Sequence, residues 1–407
     1  MASTINAKST GSGSLESTAD ASGQLALQAN GSTIATISST GLAVTGAISS
    51  NGVTSSPYVM KNRIINGAMV IDQRNAGASI NPTDGQFSVD RFVIFRSQAS
   101  KLTAQQNAGS VTPPAGFSNY LGITSSSSYS VVAGDYFLVS QRIEGYNMAD
   151  LAWGTANAKT ITLSFWVRSS LTGTFGGSLQ NASQNRAYPF TYTISSANTW
   201  TQVSVTIPGC TDGTWSTTNS EGIGLYFGLG VGSTYSGTAG SWVLNTSLFS
   251  ATGATSVVGT NGATFYITGV QLEAGSVATP FEQRLYGTEF ALCQRYYQQY
   301  ASTGDSGGYL CNAYNDTTVR AFGVIQFPVI MRTPPTLTII SGTAWGLYAV
   351  PANTLPCTSI TLLSISSMPS SIALIFTVAS GLTAGQGTVV KDAGTSTSGR
   401  IQLSAEL

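Results

Sequence analysis

Along most of the chain, apolar residues recur at every second position, the period of a β-strand with two unlike faces. Ile161, Leu163, Phe165 and Val167 alternate with Thr160, Thr162, Ser164, Trp166 and Arg168. Val203, Val205 and Ile207 repeat the pattern after Trp200, and Pro208-Gly209 ends the run. Phe265 and Ile267 share one face; Gly269 then shifts the phase to Val270 and Leu272, as a bulge does. Runs at 91–95, 135–143 and 222–230 supply further strands. Nearer the end, Ile372, Leu374, Phe376 and Val378 alternate strictly, and Ile401, Leu403, Ala405 and Leu407 predict a closing strand built into a sheet. Pro334, Pro335 and Pro351 interrupt the strands between these runs. Only one stretch has a helical stripe. Thr288 is placed to cap a helix from Glu289 to about Tyr300, with Leu292, Tyr296 and Tyr300 in line and Cys293 and Tyr297 beside them.

Residues 1–60 differ from the rest. They hold three charges (Lys8, Glu16, Asp20), one aromatic (Tyr58) and small aliphatic sets at Leu25/Leu27, Ile34/Ile37 and Leu42/Val44. Two readings fit: a disordered Gly/Ser-rich leader, or a slender stem whose core is shared between copies. For the stem, too little apolar area offsets roughly 1–2 kcal/mol of backbone entropy per residue. Three copies around an axis would leave few unpaired edges, so the expected state is a homotrimer. The expected fold is all-β and elongated: a thin β stem at 1–60, a jelly-roll β-sandwich at 61–281, a connecting helix at 282–300 and a C-terminal β-sandwich at 301–407.

Composition narrows the function. Charged residues are 8% of the 407, against about a quarter in ordinary soluble proteins, and 17 basic residues balance 17 acidic ones. Without a basic face, nucleic acid is not an expected partner. The chain has no histidine, which excludes Ser-His-Asp and Cys-His nucleophiles and the commonest zinc ligand. Cys210, Cys293, Cys311 and Cys357 are spaced unlike a disulfide framework or a zinc knuckle, so free, mostly buried thiols are expected. The first residues resemble no signal peptide, and nothing approaches the ~18 consecutive apolar residues of a membrane span. Membrane insertion and self-directed export are therefore not expected.

Four stretches resemble a bacteriophage tail-fibre family: Asn62-Arg-Ile-Ile-Asn-Gly-Ala-Met; Thr162-Leu-Ser-Phe-Trp-Val-Arg-Ser-Ser with Asn198-Thr-Trp; Thr268-Gly-Val-Gln-Leu-Glu-Ala-Gly-Ser-Val-Ala-Thr-Pro-Phe-Glu; and Arg284-Leu-Tyr-Gly-Thr-Glu-Phe-Ala-Leu-Cys-Gln-Arg-Tyr-Tyr. The opening Ala2-Ser-Thr-Ile-Asn-Ala is similar to fibre leaders. The stretch after residue 300 resembles the family only loosely, in Phe327-Pro-Val-Ile-Met-Arg-Thr-Pro-Pro-Thr. That family's middle domain is similar to carbohydrate-binding jelly rolls. The resemblance implies a virion protein assembled in the host cytoplasm, with residues 1–60 attached to a tail or baseplate protein. The distal half would then recognise a bacterial surface glycan. It also implies, at most, a structural calcium near Glu273 and Asp72, and no other cofactor.

Two other functions stay open: a polysaccharide-degrading tailspike, and a purely structural head or neck fibre. Cleavage would need an acid and a base about 5–9.5 Å apart. Asp84, Asp90, Glu144, Asp150, Glu221 and Glu273 form no dense local pair, and are expected to cap turns and pair with Arg63, Arg74, Arg91, Arg142 and Arg168. Aromatic residues are the better candidates, because sugars stack their CH faces on rings. Trp166 and Trp200 fall within strand patterns and are expected to pack. Trp215, Tyr226, Tyr235 and Trp242, then Tyr309, Tyr314, Trp345 and Tyr348, lie among Gly/Ser/Thr-rich loops and short strands and are the candidate ligand contacts. Truncating Trp215 or Trp345 is expected to weaken binding without unfolding.

Overall fold

The computed structural model describes residues 3–7, 16–18, 24–29, 32–38, 41–44, 49–50, 53–54 and 61–407, apart from 245, 305–307 and 351–352. Pro351 lies outside the described residues. The chain divides into two compact units, Met1–Lys61 and Asn62–Leu407. The architecture is all-β, with one α-helix among the described residues. None of those residues forms a helix long and apolar enough to cross a membrane.

In the first unit, five short strands form one sheet in the order Glu16–Thr18, Ser3–Ala7, Leu25–Ala29, Ser32–Ser38, Gly41–Val44. In this ladder Leu25 is paired with Ile37, and Ile37 with Leu42. Ile34 and Ile37 keep 45% and 43% of their surface exposed. The aliphatic sets are thus placed on strands, and the unit leaves Ile34 and Ile37 uncovered.

The second unit begins as a sandwich. One sheet runs Leu102–Gln106, Leu121–Ser125, Thr264–Ala274, Ile161–Ser169, Thr201–Ile207. The other runs Val243–Leu244, Arg186–Ile194, Gly173–Gln180, Glu221–Val231, Tyr136–Glu144, Val93–Arg96, Gln86–Phe87. Ile161, Leu163, Phe165 and Val167 meet Phe137, Val139, Leu225 and Phe227 in the core between them. Gly269 has φ 62°, and the register against Ile161–Ser169 slips there. Phe265 and Ile267 before the slip and Val270 and Leu272 after it are all buried in that core, as the phase shift in the sequence requires.

The helix spans Tyr286–Gln294, not Glu289 to Tyr300, and no side chain caps it. Thr288 lies inside it. Tyr297–Ala301 is instead a strand, paired with Arg400–Ser404 from Tyr297↔Ser404 to Ala301↔Arg400. The ladder outcompetes local helix propensity because it satisfies both backbones and buries Tyr297 and Gln298. Arg400–Ser404 is also paired with Thr336–Ile340, so the closing strand is central in a three-stranded sheet. The last unit is not an open sandwich. Tyr309–Asn315, Arg320–Gln326, Ser371–Val378, Asn353–Met368, Trp345–Val350 and Gly387–Asp392 close into a barrel. Closure occurs because Gly387–Asp392 pairs with Trp345–Val350 on one side and Tyr309–Asn315 on the other, removing both edges. Leu374, Phe376, Leu347 and Val390 fill its interior. Period-two alternation is common to sandwiches and barrels, so it could not choose between them.

Sandwich and barrel meet across a polar joint. Arg91 pairs with Glu406, and its guanidinium lies 3.6 Å from the Tyr296 ring centroid. Arg74 donates to the other Glu406 oxygen at 3.0 Å and lies 3.7 Å from Asp90. Arg295 grips both oxygens of Glu144 at 2.6 and 2.9 Å, and the Tyr296 hydroxyl donates to the same carboxylate at 2.6 Å. Arg332 donates to the carbonyls of Ala405, Glu406 and Asn219. Of the expected pairings, Arg63 meets Asp150, Arg74 meets Asp90 and Arg142 meets Glu221. Arg168 instead donates to the Asn198 carbonyl.

Removing one partner from a buried pair strands the other charge, so Glu406→Ala should cost about 3–5 kcal/mol in denaturant unfolding. Burial pushes Asp90 up to about 6, against the opposing pull of Arg74 and Gln73. Burial acts in the same sense on Glu144, but Arg295 and Tyr296 overcome it and hold the carboxyl below its ordinary value. The signs therefore differ. The stability Asp90 contributes is complete below about pH 4 and is lost as pH rises through 6. That of Glu144 is present above its ordinary value and lost as pH falls below it. Between pH 7 and 5 Asp90 should add about 1 kcal/mol of stability, and Asp90→Asn should reduce the protein's gain over that interval. Unfolding curves at the two pH values check this; an unchanged gain in the variant would reject the assignment.

Candidate functional site

The outer face of the seven-stranded sheet carries a cleft of about 320 Å³. Register decides which side chains reach it. Tyr226 stands opposite both Ser140 and Ser178, while its neighbours Leu225 and Phe227 point into the core. The outward set is therefore Tyr136, Leu138 and Arg142 from one strand and Tyr226 from the next, with Phe95 beyond.

A loop folded over this face supplies the far wall: Tyr235, Ser247 and Phe249. Its seat depends on missing side chains. A Cβ on Gly176 would lie 2.5 Å from Ser250 Oγ, and one on Gly228 would lie 2.7 Å from the same atom. Two glycines side by side in the sheet thus let the loop backbone approach. Phe249 then contacts Tyr136, Tyr226 and Tyr235 at centroid distances of 5.8, 5.1 and 5.2 Å. Tyr136 and Tyr235 meet edge to face at 5.7 Å.

Polar groups stand among the rings. Arg142 lies 3.3 Å from Glu221, 5.2 Å from the Phe95 centroid, and donates to the Leu407 carbonyl at 2.7 Å. Ser247 donates toward Gln180 at 3.1 Å and Gln184 at 3.2 Å. Asp84 accepts the Arg96 backbone N–H at 2.7 Å and, with burial as the larger cause, raises the Tyr136 phenol. Burial raises Glu221, with Arg142 opposing it, and burial also holds Tyr226 in its neutral form. The cleft thus presents ring faces beside neutral hydroxyls, an amide, a guanidinium and a carboxylate.

Of the residues singled out in the sequence, Tyr226 and Tyr235 line this cleft. Trp215 and Trp242 do not. They pack edge to face on Trp153 and on each other, at 4.7, 5.4 and 5.6 Å, and donate to the carbonyls of Asp212 and Pro208. Trp215 is 7% exposed and Trp345 4%, so truncating either removes core packing. The expectation of weakened binding without unfolding is corrected accordingly. Tyr309 and Trp345 line a separate cavity in the barrel unit, and Tyr348 lies 4.9 Å from Lys391. Tyr314 is 53% exposed on the barrel. Trp166 and Trp200 are half-buried, with Trp200 against Tyr120. Sequence reasoning missed Tyr136, Arg142, Gln184 and Phe249.

Glu273 and Asp72 do not fit a calcium site. Glu273 takes Gln271, the Thr279 backbone N–H and the Thr279 hydroxyl; Asp72 takes the backbone N–H groups of Asn75 and Gly77. These partners are mostly N–H donors, not the oxygen shell calcium needs. Among the described residues no three acidic or cysteine side chains gather as metal ligands. The four cysteines are free thiols, three of them buried.

No family model matches the chain, and no curated protein matches it. Solved structures similar to it include the enzymatically active domain of tailspike protein 4 of bacteriophage CBA120. The match has 13% identity and TM-score 0.29, over 53% of this chain and 21% of that one. They also include a carbohydrate-binding module of family 4 (14%, TM-score 0.29, 52% and 98%). A third is the family 11 carbohydrate-binding module of Clostridium thermocellum with a mixed-linked tetrasaccharide (11%, TM-score 0.26, 48% and 96%). The match spans about a fifth of the tailspike domain.

Replacing Gly176 with Val should unseat the loop at Ser250–Ala251, since the added atoms meet backbone as well as the serine. A loss of about 1–3 kcal/mol and faster proteolysis within 233–256 are expected. Unchanged protection of that loop would show that the glycines do not seat it.

Proposed function

We propose that the chain is a non-catalytic adhesin of a phage tail fibre that holds a host-surface glycan in the cleft on the seven-stranded sheet. The observation that carries glycan binding is the cleft itself. Tyr136, Tyr235 and Phe249 supply apolar ring surface above the buried Tyr226, and Arg142, Gln184, Ser247 and Asp84 supply the donors and acceptors that hydroxyls need. The virion assignment rests on the resemblance at 62–69 and 268–297. Binding is favoured over cleavage because Glu221, the carboxylate nearest Arg142, is tied to that guanidinium, leaving Asp84 alone in the lining.

Exposed apolar residues support assembly as a homotrimer: Ile34 and Ile37 in the first unit and, in the second, Leu285, Tyr286 and Ile330, which are 81%, 65% and 63% exposed. In this reading residues 1–60 attach to a tail or baseplate protein, and three copies multiply weak sugar contacts.

The test is the purified full chain on host lipopolysaccharide and capsule. It should bind, and it should block phage adsorption. Tyr235→Ala should weaken binding about ten-fold with an unchanged melting temperature. Steady release of reducing ends would replace this reading with the tailspike enzyme, and failure to bind or to block would favour a structural fibre. Light scattering should give the mass of three chains; a stable monomer would reject the trimer.

A further inference from the structure

Given the glycan-binding reading of the cleft, on which this rests, we propose that the cleft selects uncharged glycan and turns away chains bearing uronic or sialic acids. Arg142 is the cation of the lining, and its charge is already met. Glu221 lies 3.3 Å from its Nε, and its Nη1 donates to the Leu407 carbonyl at 2.7 Å. The guanidinium also lies 5.2 Å from the Phe95 ring centroid. An acidic sugar could pair with Arg142 only by sharing it with Glu221. Burial disfavours the Glu221 charge, and Arg142 is the group that opposes this. Drawing the guanidinium toward a ligand would therefore leave a half-buried carboxylate without its partner, a costly state.

The rest of the lining adds no positive charge. Asp84 forms no ion pair among the described residues: its Oδ1 accepts the Arg96 backbone N–H at 2.7 Å, while the Arg96 guanidinium donates to the Pro82 carbonyl. With Glu221 answering Arg142, Asp84 leaves the cleft with an unbalanced negative charge. Such a charge accepts from neutral hydroxyls and repels carboxylates. The other polar groups are uncharged. Ser247 donates to Gln184 Oε1 at 3.2 Å, which leaves the Gln184 amide N–H groups for a sugar oxygen. Asp84 is exposed, so solvent screens it. The Arg142 and Glu221 side chains are only 28% and 16% exposed, and their pairing carries more of the discrimination.

The test takes polysaccharide chains released from host capsule and lipopolysaccharide and separates them by anion exchange into neutral and acidic pools. Each pool is titrated with the full chain at pH 8. The neutral pool should bind at least about ten-fold more tightly than the acidic one. Glu221→Gln strips Arg142 of its counter-charge at nearly constant shape, and should tighten binding of the acidic pool about three- to ten-fold. Asp84→Asn should tighten it by less. A misfolded variant loses affinity instead of gaining it; if Glu221→Gln does not fold, Asp84→Asn, at an exposed position, decides alone. Equal or tighter binding of the acidic pool by the unaltered chain would overturn the inference and leave the proposed function standing. Acidic-pool binding that neither substitution tightens would do the same. Binding of neither pool would overturn both.

Discussion

Two arginines of the sandwich, Arg74 and Arg91, have their charges met by one carboxylate, Glu406, more than three hundred residues away. Arg91 is 2% exposed, and a charge at that depth is tolerable only when paired and hydrogen-bonded. The strand Arg400–Ser404 must therefore deliver Glu406 to one place, which fixes the barrel's sheet against the sandwich. The remaining hydrogen bonds enforce the same placement: Arg91 donates to the Arg142 carbonyl, and Arg332 donates to carbonyls on both sides. Arg142 is also a wall of the cleft, and its side chain is held by Glu221 and Leu407. Joint and cleft thus share a residue, and the cleft's cation is held in position by the packing of the barrel.

Strand positions were legible because alternation is a local consequence of the pleat. The slip at Gly269 is the sharpest case, since the change of phase between Ile267 and Val270 required a bulge and the structure has one. What failed was non-local. Tyr296, Tyr297 and Tyr300 suit a helix stripe, but the partner that turns Tyr297–Ala301 into a strand lies a hundred residues on, at Arg400–Ser404. Barrel closure likewise depends on one strand pairing twice.

The site was half legible for a related reason. Loop position makes Trp215 and Trp242 candidate ligand contacts, yet in the fold both pack against Trp153 and against each other. Tyr136 was hidden within an apolar strand run because both faces of that strand are covered. A usable signal did exist. In the run 222–230, Gly222, Gly224, Gly228 and Gly230 occupy alternate positions and leave Tyr226 as the only side chain on that face. A strand face stripped of side chains around one tyrosine marks a place where something else must come close. Here the loop ending at Ser250–Ala251 does so, and it brings Phe249 with it.

The stretches that look most distinctive in the sequence encode the joint and its surroundings, not the cleft. Asn62 uses its side chain to bond Val270, Ile64 and Leu272, substituting for a strand that the segment lacks. Asn66 does the same for Ile71 and Asp90. Gln271 accepts the Glu282 backbone N–H, Glu282 accepts that of Asn62, and Arg284 reaches the Ile64 carbonyl. Each of these positions must satisfy a particular buried donor or acceptor, which few other side chains can do. Cleft residues face looser demands, because any ring and several polar groups can serve a sugar. A resemblance carried by residues 62–69 and 268–297 therefore speaks to how sandwich and helix are held together. Under the proposed function, ligand specificity would lie in Tyr136, Arg142, Tyr235, Ser247 and Phe249.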